Sequence, residues 1–477
     1  MKRNLFYFIC TALILCTSCE KYVDVGLPKD QVLNQLAFDD DKTATASVVG
    51  LYSQMNGLNY YFANILMNFC TAMSADEFFY GANYADFTEF SDNNPSTTNS
   101  FVRTLWTQPY SYIYHANACI EGLEKAVNVS QAVKNQLIGE AKFMRAFCHF
   151  YLSQLFGDVP LILTTDYKEN TALPRTAKAE VMAAVIQDLK EAKELLIAGY
   201  PSGAQVADGN GERTRPNRAA ASTLLARAYL YNGQWAEAEQ QADEVISDTR
   251  YKLLPSEQIN EVFLKNSEET IWQLEAVNTL SGRNTWEGTL YVPASATNVP
   301  LIRLTPDGLK DAFEEGDLRR TNWVGTYTSD DVTHLYPYKY KVRLAVSPAT
   351  EYSMVLRFAE LYLIRAEARL ELGKLDDART DLNSIRFRAG LPELVVSIDA
   401  TALRSALEKE RQVELFAEWG HRWFDLKRWP SLEGKATRAD DILGKLRPGW
   451  KSTAVLFPIP LRALQTNPNL TQNEGYN

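Results

Sequence analysis

At 477 residues, 46% of them hydrophobic, the chain has room for two or three domains or one large repeat-built body. A net charge of −10 argues against a nucleic-acid partner, which would demand a basic face. Four His beside 24 Tyr, 21 Phe and 9 Trp fit a binding surface better than a transition-metal enzyme.

The N-terminus reads as an export signal. Lys2 and Arg3 precede a nearly unbroken apolar run from Leu5 to Cys16, followed by Thr17-Ser18-Cys19. Cations, a short apolar stretch and small residues before a cut site define a secretory signal over residues 1–18. The run is shorter than the ~20 residues that span a bilayer. A cysteine directly after the small pair predicts a bacterial lipoprotein, with Cys19 the first mature residue and the site of lipid attachment. Two or more acyl chains anchor durably, since each buried methylene adds ~0.8 kcal/mol. The alternative is an ordinary cleaved signal with a chance cysteine. Residues 19–42 read as a polar tether and 43–477 as the body. Cys10 and Cys16 leave with the signal, so Cys70, Cys119 and Cys148 allow at most one disulfide.

Val48, Leu51, Tyr52 and Met55 give helical spacing over 43–58. Residues 76–101 mix Gly, Asn and Pro with Phe78, Phe79, Tyr80, Tyr84, Phe87 and Phe90, and predict a long aromatic loop. Such loops are usually functional or disordered, and the aromatics argue against disorder. Helical patterns follow at 102–127 and 130–156, the second stopped by Gly157 and Pro160. Another helix covers 176–197, a Gly- and Pro-rich flexible excursion 199–217, and two more helices 217–231 and 235–247. Residues 250–350 are irregular and aromatic-rich, with a short strand at 270–274. The chain is helical again over 356–426.

A repeat lies within these helices. Ala226, Ala228, Gly233 and Ala238 recur in the same spacing as Ala366, Ala368, Gly373 and Ala378. Small alanines let two helices approach, glycine makes the turn, and the last alanine sits on the facing helix. The pattern resembles a tetratricopeptide hairpin. Residues 141–160 form a degenerate third copy. Hairpins of this kind stack side by side, and the irregular block is inserted between two of them.

Four segments in order resemble the SusD/RagB family of nutrient-binding lipoproteins. The first is Gly139-Glu140-Ala141-Lys142-Phe143 with Phe156-Gly157-Asp158-Val159-Pro160. The second is Leu356 to Ala368 with Ile385-Arg386-Phe387-Arg388-Ala389-Gly390. The third is Glu410 to Trp429, including Glu418-Trp419-Gly420-His421-Arg422-Trp423-Phe424-Asp425. The fourth is Leu456-Phe457-Pro458-Ile459-Pro460 with Asn467-Pro468-Asn469-Leu470. The resemblance implies a mainly α protein: a tetratricopeptide-like scaffold carrying an irregular, loop-rich subdomain with a few short strands. It implies a non-enzymatic, lipid-anchored protein on the outer membrane. That protein captures oligosaccharide or another nutrient and delivers it to a SusC-like TonB-dependent transporter.

Sugars present an apolar C–H face and a polar rim, which aromatic rings and Asn, Asp or Arg side chains match. The two irregular blocks supply both. The ligand-binding candidates are Asp76, Tyr80, Tyr84 and Asn93 from the first, and Trp286, Tyr291, Arg303 and Trp323 from the second. For each, the competing role is to plug the subdomain core. One Trp or Tyr from each block is expected to line a common exposed site. Glu410, Glu414 and Glu418, spaced on one helix face near Arg411, Arg422, Lys427 and Arg428, read as structural ion pairs. Glu418 and His421 form a Glu-x-x-His, but a carboxylate di-iron site needs a second copy, which His115, His149 and His334 do not supply. No metal or cofactor is expected. A surface glycoside hydrolase and a purely protein-binding scaffold are the rival readings.

Overall fold

The computed structural model describes residues 37–57, 60–203, 205–209, 212–276, 283–295 and 297–476. The signal peptide and Cys19 lie outside them. Helix accounts for 54% and strand for 8%, so the fold is mainly α.

Helix α1 (Asp41–Met55) starts at a capping box. The Asp40 carboxylate accepts from the backbone N–H of Lys42 and Thr43 at 2.8 and 2.7 Å. Phe38 is buried against Gly122, where any Cβ would strike its ring. Residues 37–42, expected in the tether, therefore belong to the body. A π-helical turn (Phe62–Leu66) runs into α2 (Met67–Ser74), followed by β1 (Phe78–Tyr80) and α3 (Ala85–Ser91). The first aromatic block is thus not a loop throughout. Phe87 and Phe90, three apart on α3, are both buried and fasten that helix to the core.

Then come α4 (Ser100–Lys125), α5 (Gln131–Phe156), α6 (Tyr167–Asn170) and α7 (Lys178–Leu195). The excursion after them is organised rather than merely flexible: β2 (Tyr200–Ser202) and β3 (Gln205–Gly209) form a hairpin. The repeat forms α8 (Arg218–Tyr231) with α9 (Trp235–Ile246), and α12 (Phe358–Glu371) with α13 (Leu375–Arg388). Ala226, Ala228 and Ala238 are buried, as are Ala366, Ala368 and Ala378. Gly233 and Gly373 make the turns at φ +72° and +73°. The helices stack in the order α4, α5, α7, α8, α9, α12, α13, with α14 (Ala400–Leu415) against the last pair.

Between α9 and α12 the chain leaves the stack and returns to it. Its exit, β4 (Thr270–Leu274), pairs antiparallel with its return, β8 (Ser353–Arg357), from Thr270 opposite Arg357 to Leu274 opposite Ser353. The excursion carries α10 (Trp286–Tyr291), β5 (Ile302–Leu304), α11 (Leu318–Asn322), β6 (Val324–Ser329) and β7 (Val332–Pro337). β5 pairs with β1, so the two aromatic blocks join edge to edge.

Buried ion pairs fasten this insertion to the stack. Arg319 reaches Glu410 at 2.5 Å and Glu414 at 3.0 Å, and Lys339 reaches Glu418 at 2.5 Å. Arg357 bonds Glu414 at 2.6 Å and Glu418 at 2.7 Å. Burial alone would raise the Glu414 carboxyl, but Arg388, Arg357 and Arg319 together hold it well below the usual range. The single helix face expected for the three glutamates is interrupted. α14 stops at Leu415, and Ala417, Trp419 and Gly420 take φ of 59°, 43° and 74° before α15 (His421–Arg428). Glu418 joins the cluster from this turn. After α16 (Arg438–Leu446) and α17 (Leu461–Thr466) the C-terminal segment clamps α5. The Phe457 N–H donates to the Leu155 carbonyl at 2.9 Å, and the Asn473 amide to that of Phe156 at 2.9 Å.

Candidate ligand-binding site

The site forms where α1 ends. The Gly57 carbonyl accepts from Arg283 Nη2 at 2.7 Å and from Trp286 Nε1 at 3.3 Å. That carbonyl draws the start of α10 onto the end of α1. The Thr285 hydroxyl caps α10, accepting from the Gly288 N–H at 3.0 Å. Gly288 is required here: a Cβ would lie 2.3 Å from the Val342 carbonyl oxygen, so α10 rests directly on the neighbouring backbone.

Phe87 of α3 and Phe101 of α4 stack with centroids 4.7 Å apart, buried as a pair. Three tyrosines and a tryptophan ride on this base. Tyr80 lies 5.0 Å and Tyr84 4.9 Å from Phe87. Tyr60 lies 6.1 Å from Phe101 and 4.9 Å from Trp286. Tyr84 is 48% exposed and Tyr60 38%, so these two offer ring faces to a ligand. Trp286 has the Arg283 guanidinium 3.7 Å from its ring centre, with Tyr60 beside it. It backs the platform rather than heading it.

Of the sequence candidates, Tyr80, Tyr84 and Trp286 come together here. Arg303 borders them. Its guanidinium packs on Gly81, at the start of the turn leading to Tyr84, and lies 5.8 Å from the Phe79 ring. In the β1–β5 register Arg303 faces Phe79, so it occupies the ribbon face opposite Tyr80.

The other four candidates are core residues, and their assignment to a ligand surface is corrected. Asp76 is bound by Arg422 at 2.7 and 2.8 Å and by Gln412 at 3.1 Å. Burial works against its charge, but Arg422 outweighs it and the carboxyl titrates below its ordinary value. Asn93 donates to the Ser74 carbonyl at 2.7 Å from a left-handed backbone at φ 52°. Tyr291 is buried with its ring 5.7 Å from Phe78. Trp323 is wholly buried; its indole N–H donates to the Ile259 carbonyl, and Lys339 and Arg388 lie over its ring at 4.9 and 5.2 Å. Cys19 lies outside the described residues.

Two participants escaped the sequence reading. Tyr60 follows Gly57 past the end of α1, and a tyrosine pair beyond a helix stop was the available signal. Arg283 has no local signal, because its role depends on Trp286 and Gly57.

Two buried acids adjoin the platform, both pushed up by burial. Glu287 accepts from Asn68 Nδ2 at 2.9 Å and the Ser353 hydroxyl at 3.0 Å, and burial pushes it up to about 7. Burial and the neighbouring Asp76 charge push Glu77 up to about 8. Elsewhere, His421 sits 4.0 Å from Glu360 and is kept neutral by burial and by Arg227 and Arg411. Among the described residues no group of His, Cys, Asp or Glu is placed to hold a metal ion.

Comparison with known proteins places this geometry in context. Residues 311–476 match the model of the SusD family, and residues 21–230 match a family described as starch-binding and associating with the outer membrane. A SusD-like protein of Formosa agariphila is 26% identical, over 97% of this chain and 96% of its own. The starch-binding protein SusD of Bacteroides thetaiotaomicron is 24% identical, over 74% of this chain and 75% of its own. A crystal structure of a SusD superfamily protein from Bacteroides vulgatus superposes with a TM-score of 0.79 at 24% identity, covering 92% of this chain and all of that one.

Proposed function

Since the chain belongs to the SusD/RagB family, we propose that it is a cell-surface lipoprotein. In this reading it captures oligosaccharide on the Tyr60–Tyr84–Trp286 platform and hands it to a SusC-like TonB-dependent transporter. The convergence of two exposed tyrosines and a half-buried tryptophan from separate segments on one surface carries the reading. Tyr84 comes from the first aromatic block, Trp286 from the second, and Tyr60 joins them. Ring faces take the C–H side of a pyranose, and phenol hydroxyls meet its rim. The starch-binding description of the matched family and of a relative supports a glycan as ligand.

A hydrolase would need two carboxyl groups flanking the sugar, about 5–9.5 Å apart. The acids beneath the platform are instead buried and engaged: Asp76 with Arg422, and Glu287 with Asn68 and Ser353. That arrangement favours binding over cleavage. Calorimetry of the mature protein against a glycan panel, with chromatography of the mixtures, tests it. Saturable heat with unchanged sugars is expected; shorter sugars in the mixture would establish the hydrolase. Binding to the transporter with no response to any glycan would establish the protein-binding scaffold. The anchor has its own test. Cys19→Ala should leave glycan binding in solution intact and release the protein from the outer membrane, as read by cell fractionation.

A further inference from the structure

Arg283 carries a charge that no described residue neutralises. It is 8% exposed. Every other arginine as deeply buried among the described residues is ion-paired with Asp or Glu, such as Arg227 with Glu360, Arg411 with Asp425 and Arg422 with Asp76. A buried cation without a counter-charge is unfavourable, and no other arginine this little exposed among the described residues lacks one. Partly exposed arginines without an acid partner, such as Arg213 and Arg447, spend their donors on several carbonyls. Arg213 takes those of Ser267 and Thr270, and Arg447 those of Met73 and Ala75. Arg283 bonds one, that of Gly57. Of its five N–H donors, four have no acceptor among the described residues. The phenol beside it brings no charge, since burial raises Tyr60 above its ordinary value.

The position is as telling as the missing partner. The guanidinium is held flat on Trp286, 3.7 Å from the ring centre, at one end of the aromatic platform. At the other end Arg303 lies under the turn leading to Tyr84. It too forms no ion pair among the described residues, with only its Nε engaged, on the Pro300 carbonyl at 2.8 Å. A guanidinium fork matches a carboxylate or a sulfate with two parallel hydrogen bonds. We infer that the platform takes an acidic glycan, bearing carboxylate or sulfate groups, and that Arg283 is its anion-recognition residue. The inference rests on the glycan-binding reading above and narrows its substrate class.

Calorimetry on the mature protein tests it with two matched pairs of probes. These are oligogalacturonate against its carboxyl-reduced form, and dextran sulfate oligomers against dextran. At least one charged probe should bind about tenfold or more tighter than its uncharged counterpart, with the advantage shrinking as sodium chloride is raised. The two pairs separate carboxylate from sulfate. Arg283→Gln should erase the charge preference while leaving residual affinity for the sugar, and Arg283→Lys should keep part of it. A reading independent of the sugar backbone is inorganic sulfate against chloride at equal ionic strength. Sulfate should raise the thermal midpoint of the wild type more than that of Arg283→Gln or, if that variant does not fold, of Arg283→Lys. Equal binding of charged and uncharged probes, lost in Tyr84→Ala, would overturn the anion inference and leave the glycan reading standing. No binding of any probe, with no sulfate effect, would overturn both. A charge preference that survives in Arg283→Gln would reduce Arg283 to a brace for Trp286.

Discussion

Arg227 shows what single charges do in this interior. It bonds Glu360 at 2.6 and 2.7 Å and the Tyr151 hydroxyl at 2.6 Å, with both charged side chains almost wholly buried. Removing one partner strands the other charge out of water. Glu360→Gln should therefore lower unfolding stability by about 3–5 kcal/mol. The double replacement Arg227→Met, Glu360→Leu should recover most of that loss in urea titrations. The protonated acids give a pH signature. Glu77 and Glu287 titrate near 8 and 7 in the native state against an ordinary 4.5. Between those values the unfolded chain has released protons that the native state still holds. The contribution of these two groups to stability should therefore fall as pH rises from about 5 to 8, opposed below about 6.5 by the buried neutral His421 and His149, which gain a proton only on unfolding. Glu77→Gln should flatten part of that slope in unfolding midpoints measured across the range. A pH profile unchanged by Glu77→Gln would show that this carboxyl is already ionised when buried. None of this was legible locally. Asp76 reads as a polar loop residue until Arg422, 346 positions further on, turns out to be its partner.

The helical elements were the most legible part of the chain, because their determinants are close in sequence. Alanines two apart, a glycine five residues later and another alanine after that encode a hairpin without reference to anything distant. Gly373 permits a clean test, since a Cβ there meets nothing and only the left-handed backbone resists it. Gly373→Ala should cost about 1–2 kcal/mol, read as a shift in denaturation midpoint with unchanged slope. The strands were harder for a physical reason. β1 is three residues long and exists because β5, far along the chain, pairs with it. The 76–101 stretch looked like loop because its glycine, asparagines and proline suit turns; Phe87 and Phe90 form a helical face only against a partner. The end of α14 was hidden as well, since Ala417 and Trp419 adopt positive φ without being glycine. Trp419 holds that conformation through tertiary bonds, its N–H to Asn68 at 2.7 Å and its indole to the Met354 carbonyl at 2.9 Å.

At the scale of the whole molecule, rigidity and recognition occupy different residues. The Phe87–Phe101 stack is buried and belongs to the core, whereas Tyr84 and Tyr60 project from it. Tyr84→Ala should weaken glycan binding by about 1–2 kcal/mol, roughly five- to thirtyfold, without moving the thermal midpoint. Phe87→Ala should lose stability first and binding as a consequence. A calorimetric titration beside a thermal melt separates the two. The sequence located both blocks and three of the platform rings, but not which aromatics face outward. Trp323 and Tyr291 have the same composition around them as Trp286, and only packing sorts them.

The two-stranded neck of β4 and β8 has a practical consequence. The excursion begins and ends at neighbouring points, and α9 already packs on α12 without it, so the stack behaves as a chassis with one socket. An exchange of the head between β4 and β8 would alter that part of the recognition surface while leaving the helical stack in place. The socket is nevertheless keyed by charge. A transplanted head must arrive with cations where Arg319 and Lys339 stand, or Glu410, Glu414 and Glu418 each lose a buried partner and depend on Arg386, Arg388 and Arg357 alone. Chimeras that swap only residues 275–352 should fold when the donor supplies those two cations and fail when it does not.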